Sequence, residues 1–198
     1  MANTDAPFGL KPVRYRSGAP YNGASTRYYI GTGDSNNLFI GDVVALSGSG
    51  ASDGTPGIVR ATAGAGSSAG DGPLGVVVGF ENLTSDNLSR TYRPASTAMY
   101  VHVADDPSLE FIVQEDSDSS TLAVTDIGLN ANFVQGTGDT ATGTSRVELD
   151  SSSAATTATL DFRIIGLWKK PSNEIGDNAI WRVMLNASPL SVTQTEGE

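Results

Sequence analysis

Short apolar runs broken every few positions by Gly, Pro, Asn, Asp or Ser recur along the chain, and each is the length of a strand rather than of a helix. The first are Arg27-Tyr28-Tyr29-Ile30, Leu38-Phe39-Ile40, Asp42 to Leu46, Ile58 to Ala61 and Leu74 to Phe80. Further on, Met99, Val101 and Val103 alternate with Tyr100 and His102, the period-2 pattern of a half-buried strand. Leu109 to Gln114 follows across Ala104-Asp105-Asp106-Pro107-Ser108. That connector offers Asp for side-chain-to-backbone bonds and Pro to fix φ, so the two runs are expected as a hairpin. Near the end, Leu160, Phe162, Ile164, Gly166 and Trp168 alternate with Asp161, Arg163, Ile165 and Leu167. The chain then returns with Ala179, Trp181, Val183 and Leu185 alternating with Ile180, Arg182, Met184 and Asn186. This predicts a closing strand pair whose two tryptophans anchor one core layer. Helix candidates are short, around Ser85 to Arg90 and Ile127 to Val134.

The Gly/Ser/Thr tracts Ser47 to Gly57, Gly64 to Gly72 and Gly136 to Ser145 read as loops. Residues 1–24 alternate Pro, Gly and aromatics, and each Pro drives its predecessor out of the helical region, which predicts an extended N-terminal arm. Phe8, Leu10, Val13, Tyr15 and Tyr21 make that arm too apolar for a solvated tail, so it docks on its own domain or on a partner. The expected organisation is the arm (1–24), a single β domain (25–190) and a frayed tail (191–198). Its fold class is all-β, an antiparallel sandwich or barrel.

Composition narrows the function. Among 198 residues, 12 Lys+Arg face 22 Asp+Glu, a net charge of −10 that argues against nucleic-acid, anionic-lipid or acidic partners at long range. Cys is absent, which removes disulfides, thiolate metal sites and thiol catalysis, and His102 is the sole histidine. No apolar window reaches membrane-spanning length and the first twenty residues lack a secretory apolar core, so a soluble intracellular product is expected. The sequons at Asn82, Asn87 and Asn186 are then chance matches.

Candidate chemistry fails its context tests. Gly66-Ser67-Ser68-Ala69-Gly70 matches the hydrolase pattern G-x-S-x-G, but its Ala/Gly/Ser flanks predict neither the preceding strand nor the following helix that would expose Ser68 as a nucleophile. Gly136-Thr137-Gly138-Asp139-Thr140-Ala141 resembles part of a dinucleotide fingerprint without a helix to meet the pyrophosphate. The acidic groups Asp34 to Asn37, Asp105-Asp106 with Glu110, and Glu115 to Asp118 lack calcium-loop spacing. No enzyme activity, cofactor or metal is expected, and a structural or binding role is.

Three stretches taken together, Asn3 to Pro12 (with Pro7-Phe8-Gly9-Leu10), Phe39-Ile40-Gly41-Asp42-Val43-Val44 and Pro73-Leu74-Gly75-Val76-Val77-Val78-Gly79-Phe80, look like virion structural proteins of tailed bacteriophages. The chain resembles capsid decoration (cement) proteins over most of its length, with Tyr100 to Gln114 and Asn173 to Trp181 adding to the likeness; the C-terminal Trp hairpin has no counterpart in the shorter lambda-type members. The resemblance implies a compact β domain, jelly-roll-like or β-tulip-like. It also implies a homotrimer on the outer capsid surface, made in the host cytoplasm, that clamps major capsid proteins and has no nucleic-acid or membrane partner. Phe8, Leu10, Val13, Tyr15 and Tyr21 would then be partner-binding residues, adding a strand to a capsid-protein edge. The alternatives are a tail or head-fibre component, and a carbohydrate-binding or hydrolytic β domain using Trp168, Trp181, Asp105 and Glu110.

Overall fold

Backbone pairing sorts the strands into a barrel and a sheet in the computed structural model, which describes residues 3–65, 72–81, 90–118 and 120–191. In chain order the strands are β1 (Lys11–Tyr15), β2 (Thr26–Ile30), β3 (Val43–Gly50), β4 (Pro56–Arg60), β5 (Gly75–Glu81), β6 (Met99–Ala104) and β7 (Leu109–Gln114). They continue as β8 (Asn130–Ala131), β9 (Phe133–Val134), β10 (Glu148–Leu149), β11 (Phe162–Leu167) and β12 (Ile180–Leu185). Strands β2-β4-β3-β5-β6 close a barrel, antiparallel except where Tyr29 meets Gly57 in the parallel β2/β4 pair. The other large sheet runs β1-β7-β12-β11-β8, antiparallel throughout, and β9 pairs with β10. The expected all-β, antiparallel class is what the chain adopts. Among the described residues no helix is long and apolar enough to cross a membrane.

Alternation explains how barrel and sheet share a core. Inside the barrel lie Tyr28, Ile30, Val44, Ile58, Val77, Met99, Val101 and Val103. The opposite faces of the same strands, through Val43, Ala45, Val76 and Ala104, pack on Phe111, Val113, Phe162, Ile164, Trp181 and Val183 of the sheet. One barrel wall is therefore apolar on both sides, as Val43-Val44-Ala45 and Val76-Val77 require, and the sheet keeps one outward face.

The arm belongs to this body. Its β1 pairs with β7, Lys11 opposite Ile112 and Tyr15 opposite Leu109. Leu10 is 1% exposed in the shared core, while Phe8, Val13, Tyr15 and Tyr21 are half-buried. The outer edge of β1 is covered by its own return: Tyr15 N–H donates to the Ala19 carbonyl (2.8 Å) and Tyr21 N–H to that of Val13 (3.1 Å). Upstream, the buried Gln114 amide accepts from Ala6 N–H (2.9 Å) and donates to the Thr4 carbonyl (2.8 Å). The strand addition expected toward a capsid-protein edge is thus made within the chain, and Leu10 is not available to a partner.

The three stretches that carry the resemblance converge. Gly9 (φ +72°) crosses Gly41 (φ +97°) so closely that a Cβ on Gly9 would lie 2.8 Å from the Gly41 carbonyl oxygen and 2.6 Å from Ser145 Cβ. Leu10 N–H donates to the Gly41 carbonyl (3.0 Å), Gly41 N–H to that of Val77, and Val77 N–H to that of Asp42 (2.9 Å each). Asp42, 1% exposed, accepts from Phe39 N–H at 2.9 Å and so holds the turn that presents Gly41.

Several expectations change. The runs 99–104 and 109–114 form no hairpin: both edges of β6 are taken by β2 and β5, and both edges of β7 by β1 and β12, so the connector carries the chain from barrel to sheet. The tract Ser47 to Gly57 is largely strand, since β3 runs to Gly50 and β4 begins at Pro56. Ile127 to Val134 holds the short strands β8 and β9 instead of a helix, each caught by a neighbouring backbone. Leu38 to Ile40 makes isolated bridges to Arg93 and Thr144 rather than a strand. A bulge between Ile164 and Gly166 (φ +150°) shifts the phase of β11, so Leu167 stands opposite Trp181 and Trp168 leaves the core layer. Ser68, Asn82, Asn87, the helix expected from Ser85 and the tail beyond residue 191 lie outside the described residues.

Leu10→Ala should lower unfolding free energy by about 2–5 kcal/mol, the cost of an unfilled core site. Urea unfolding checks this; an unchanged midpoint would mean that the arm is not part of the cooperative unit.

Candidate functional site

The sheet face turned away from the barrel is where unassigned side chains collect. Leu109, Phe111 and Val113 of β7 point inward, which sends Glu110, Ile112 and Gln114 outward. Register carries the same face across the sheet: Lys11 and Arg182 flank Ile112, Arg14 and Met184 flank Glu110, and Arg163 stands opposite both Met184 and Asn130. The five strands contain four cations, Lys11, Arg14, Arg163 and Arg182, and one carboxylate, Glu110. Their net +3 sits in a chain of −10, which leaves −13 for the rest.

Glu110 organises the cations. It is 4% exposed and accepts from Arg14 Nε at 2.8 Å, Arg14 Nη2 at 3.3 Å and Arg182 Nη1 at 3.0 Å, three charge-assisted bonds that fix the Arg14 guanidinium plane and tether Arg182. Arg163 is exposed and its Nε donates to Asn130 Oδ1 at 3.1 Å. Half-buried Ile165 and Met184 lie with Arg163, Arg16 and Glu110 along one cleft of this face. The arrangement suits contact with carboxylates flanked by aliphatic groups.

The residues offered for hydrolysis or sugar binding are committed elsewhere. Asp105 accepts from Tyr28 Oη at 2.7 Å and Thr26 Oγ1 at 3.0 Å, and Glu110 is held by arginines. Trp181 is fully buried with its Nε1 donating to Glu115 Oε2 at 2.8 Å; Trp168 is half-buried. His102 Nε2 lies 3.1 Å from Glu81 Oε1 on the barrel exterior, where Arg27 pairs with Glu81 and stacks 3.5 Å above the Tyr100 ring. Asp116, Asp118 and Asp150 approach one another within 4.8 Å, with Asp116 accepting from Ser151 and Asp150 from Ser152 and Ser153. Fully buried Arg93 donates to the carbonyls of Thr97, Asn36 and Gly31 at 2.7 Å each, an internal clamp between the β2–β3 and β5–β6 connections that no sequence pattern marks.

Of the candidate residues, the structure gathers Phe8, Leu10, Val13, Tyr15 and Tyr21 onto the sheet edge and its core. Sequence reasoning passed over Arg14, Arg163, Arg182, Ile165 and Met184. Arg163 and Arg182 were visible as outward positions of alternating strands, but the pairing that brings them beside Arg14 was not.

Buried carboxylates give the protein a pH signature. Burial pushes Glu115 up from 4.5 to about 7, Glu148 likewise to about 7 with help from nearby Asp5 and Asp116, and Asp161 from 3.8 to about 6. In this window the folded chain holds protons that the unfolded chain has released. Their stabilising contribution is complete below about 4, where the unfolded groups are also protonated, and is lost as pH rises through 6 to 7. Urea midpoints should therefore fall between pH 5 and pH 8, and Glu115→Gln, which still accepts from Trp181, should flatten the fall; an unchanged slope in that variant would refute the assignment. Acrylamide should quench Trp181 weakly in the Trp168→Phe variant, and strong quenching there would contradict a buried indole.

No protein-family model, curated protein or solved structure matches the chain, so the geometry of its surfaces has to carry the functional reading.

Proposed function

We propose that this chain is a non-enzymatic capsid decoration (cement) protein, bound to the outer surface of a phage head as a homotrimer and bridging major capsid proteins. The observation that carries the reading is the convergence of the three stretches resembling such proteins on one crossing, Gly9 over Gly41 beside Val77. Segments scattered between Asn3 and Phe80 serve one structural purpose, the crossing that joins arm and barrel. The commitment of Asp105 and Glu110 to internal partners and the burial of Trp181 favour this reading over a sugar-binding or hydrolytic one. A rigid β body suits cementing, because little conformational entropy is lost when it docks, and symmetric repetition multiplies weak contacts into avidity.

The test is sedimentation of purified protein with undecorated capsids of the source phage. Co-pelleting that saturates at a fixed ratio to capsid protein is the expected result. Protein that stays in the supernatant at every concentration would overturn the proposal and favour a tail or head-fibre component.

A further inference from the structure

We infer that the outward face of the β1-β7-β12-β11-β8 sheet is a docking surface for an acidic, aliphatic-bearing peptide segment of a protein partner. The inference rests on the reading of the chain as a docking protein and names the chemistry of what it docks.

Both sheet edges are blunted, so recognition falls to the face. The edge of β1 is bonded to Ala19 and Tyr21, and β8 at the other edge exchanges backbone bonds with Ala155 (2.8 Å each way). Four cations against one carboxylate make the face the reverse of the chain's average. Glu110 offsets one of the four charges and, deeply buried, holds Arg14 and Arg182 in place. Beside Arg182 and Arg163, Ile112, Ile165 and Met184 offer apolar surface between guanidinium groups. A carboxylate can take a guanidinium fork in two parallel bonds while its aliphatic neighbours cover the gaps.

The size of the face selects a short protein segment over a nucleic acid. Five strands span about 19 Å from β1 to β8, and attraction persists over a screening length of about 8 Å in physiological salt. A short acidic segment fits within that span. A long polyanion runs past it onto a body that carries −13 and repels it. The chain's acidity thus restricts what may approach, while the face supplies the contact.

The experiment uses the full chain and a short fluorescein-labelled peptide of repeating Glu-Leu-Glu-Ser, read by anisotropy in low and physiological salt. An oligothymidylate long enough to run past the face on both sides serves as competing polyanion. Expected are saturable peptide binding, amide NMR shifts confined to β7, β11 and β12, and loss of about tenfold in affinity in Arg16→Glu/Arg163→Glu. The charge-matched Lys169→Glu/Lys170→Glu control, at the β11–β12 turn, should stay within about twofold. Urea midpoints of both variants verify folding. Absence of saturable peptide binding, equal loss in both variants, shifts centred on the barrel, or tighter binding of the oligothymidylate would each overturn the inference. Failure of the capsid reading is separable: wild-type chain that binds peptide but never pellets with capsids sinks that reading alone. Wild-type and Arg16→Glu/Arg163→Glu chains pelleting equally would keep the capsid reading and remove this face from docking.

Discussion

Everything in this fold depends on how closely two backbones approach at Gly9 and Gly41. Gly9 has no room for a Cβ, one on Gly41 would crowd the Phe8 carbonyl oxygen at 3.1 Å, both are in the left-handed region, and the contact lets the N-terminal stretch pass under the turn held by Asp42. From there Leu10 enters the core and β1 reaches β7, while Val77 binds the same turn from the barrel side. Barrel, sheet and arm therefore meet at one junction. A side chain introduced there would disturb all three, which is a physical reason for glycine in both sequence stretches.

The second organising feature is segregation of charge. A chain with net −10 invites a uniform picture of an acidic surface, and by that picture acidic partners are poor candidates. Strand pairing breaks the uniformity by stacking Lys11, Arg14, Arg163 and Arg182 on one face with a buried Glu110 between two of them. Screening in salt makes short-range arrangement matter more than the sum, so the local field at this face differs in sign from that of the body.

What was legible in the sequence was whatever local chemistry decides. Alternation in 99–103 and 179–186 gave those strands and their inward residues, because period 2 is a property of each strand alone. Pairing was not legible: the Asp-Pro connector after β6 does turn the chain, but into another sheet, since the edges of β6 are filled by β5, which precedes it, and by the more distant β2. The bulge at Gly166 was hidden for a related reason, as the phase shift that moves Trp168 off the core appears only against the register of β12. For the arm, composition showed that Phe8, Leu10, Val13, Tyr15 and Tyr21 must dock, and only the structure shows that they dock at home. The basic face needed Arg14 and Glu110 brought together across 96 residues and Glu110 and Arg182 across 72, distances no local pattern spans.

The central position of β7 also sets an order of events. The barrel strands are contiguous, from Thr26 to Ala104, and can close on one another as soon as that stretch exists. The sheet cannot: β7 must wait for β12, the last strand among the described residues, and non-local pairings of this kind form slowly. Until Ile180–Leu185 has been synthesised, Arg182 and Met184 are missing and β7 has an open edge. The basic face thus appears only once β12 exists, so a chain cut short before Ile180 keeps the barrel strands but lacks Arg182 and Met184 of that face.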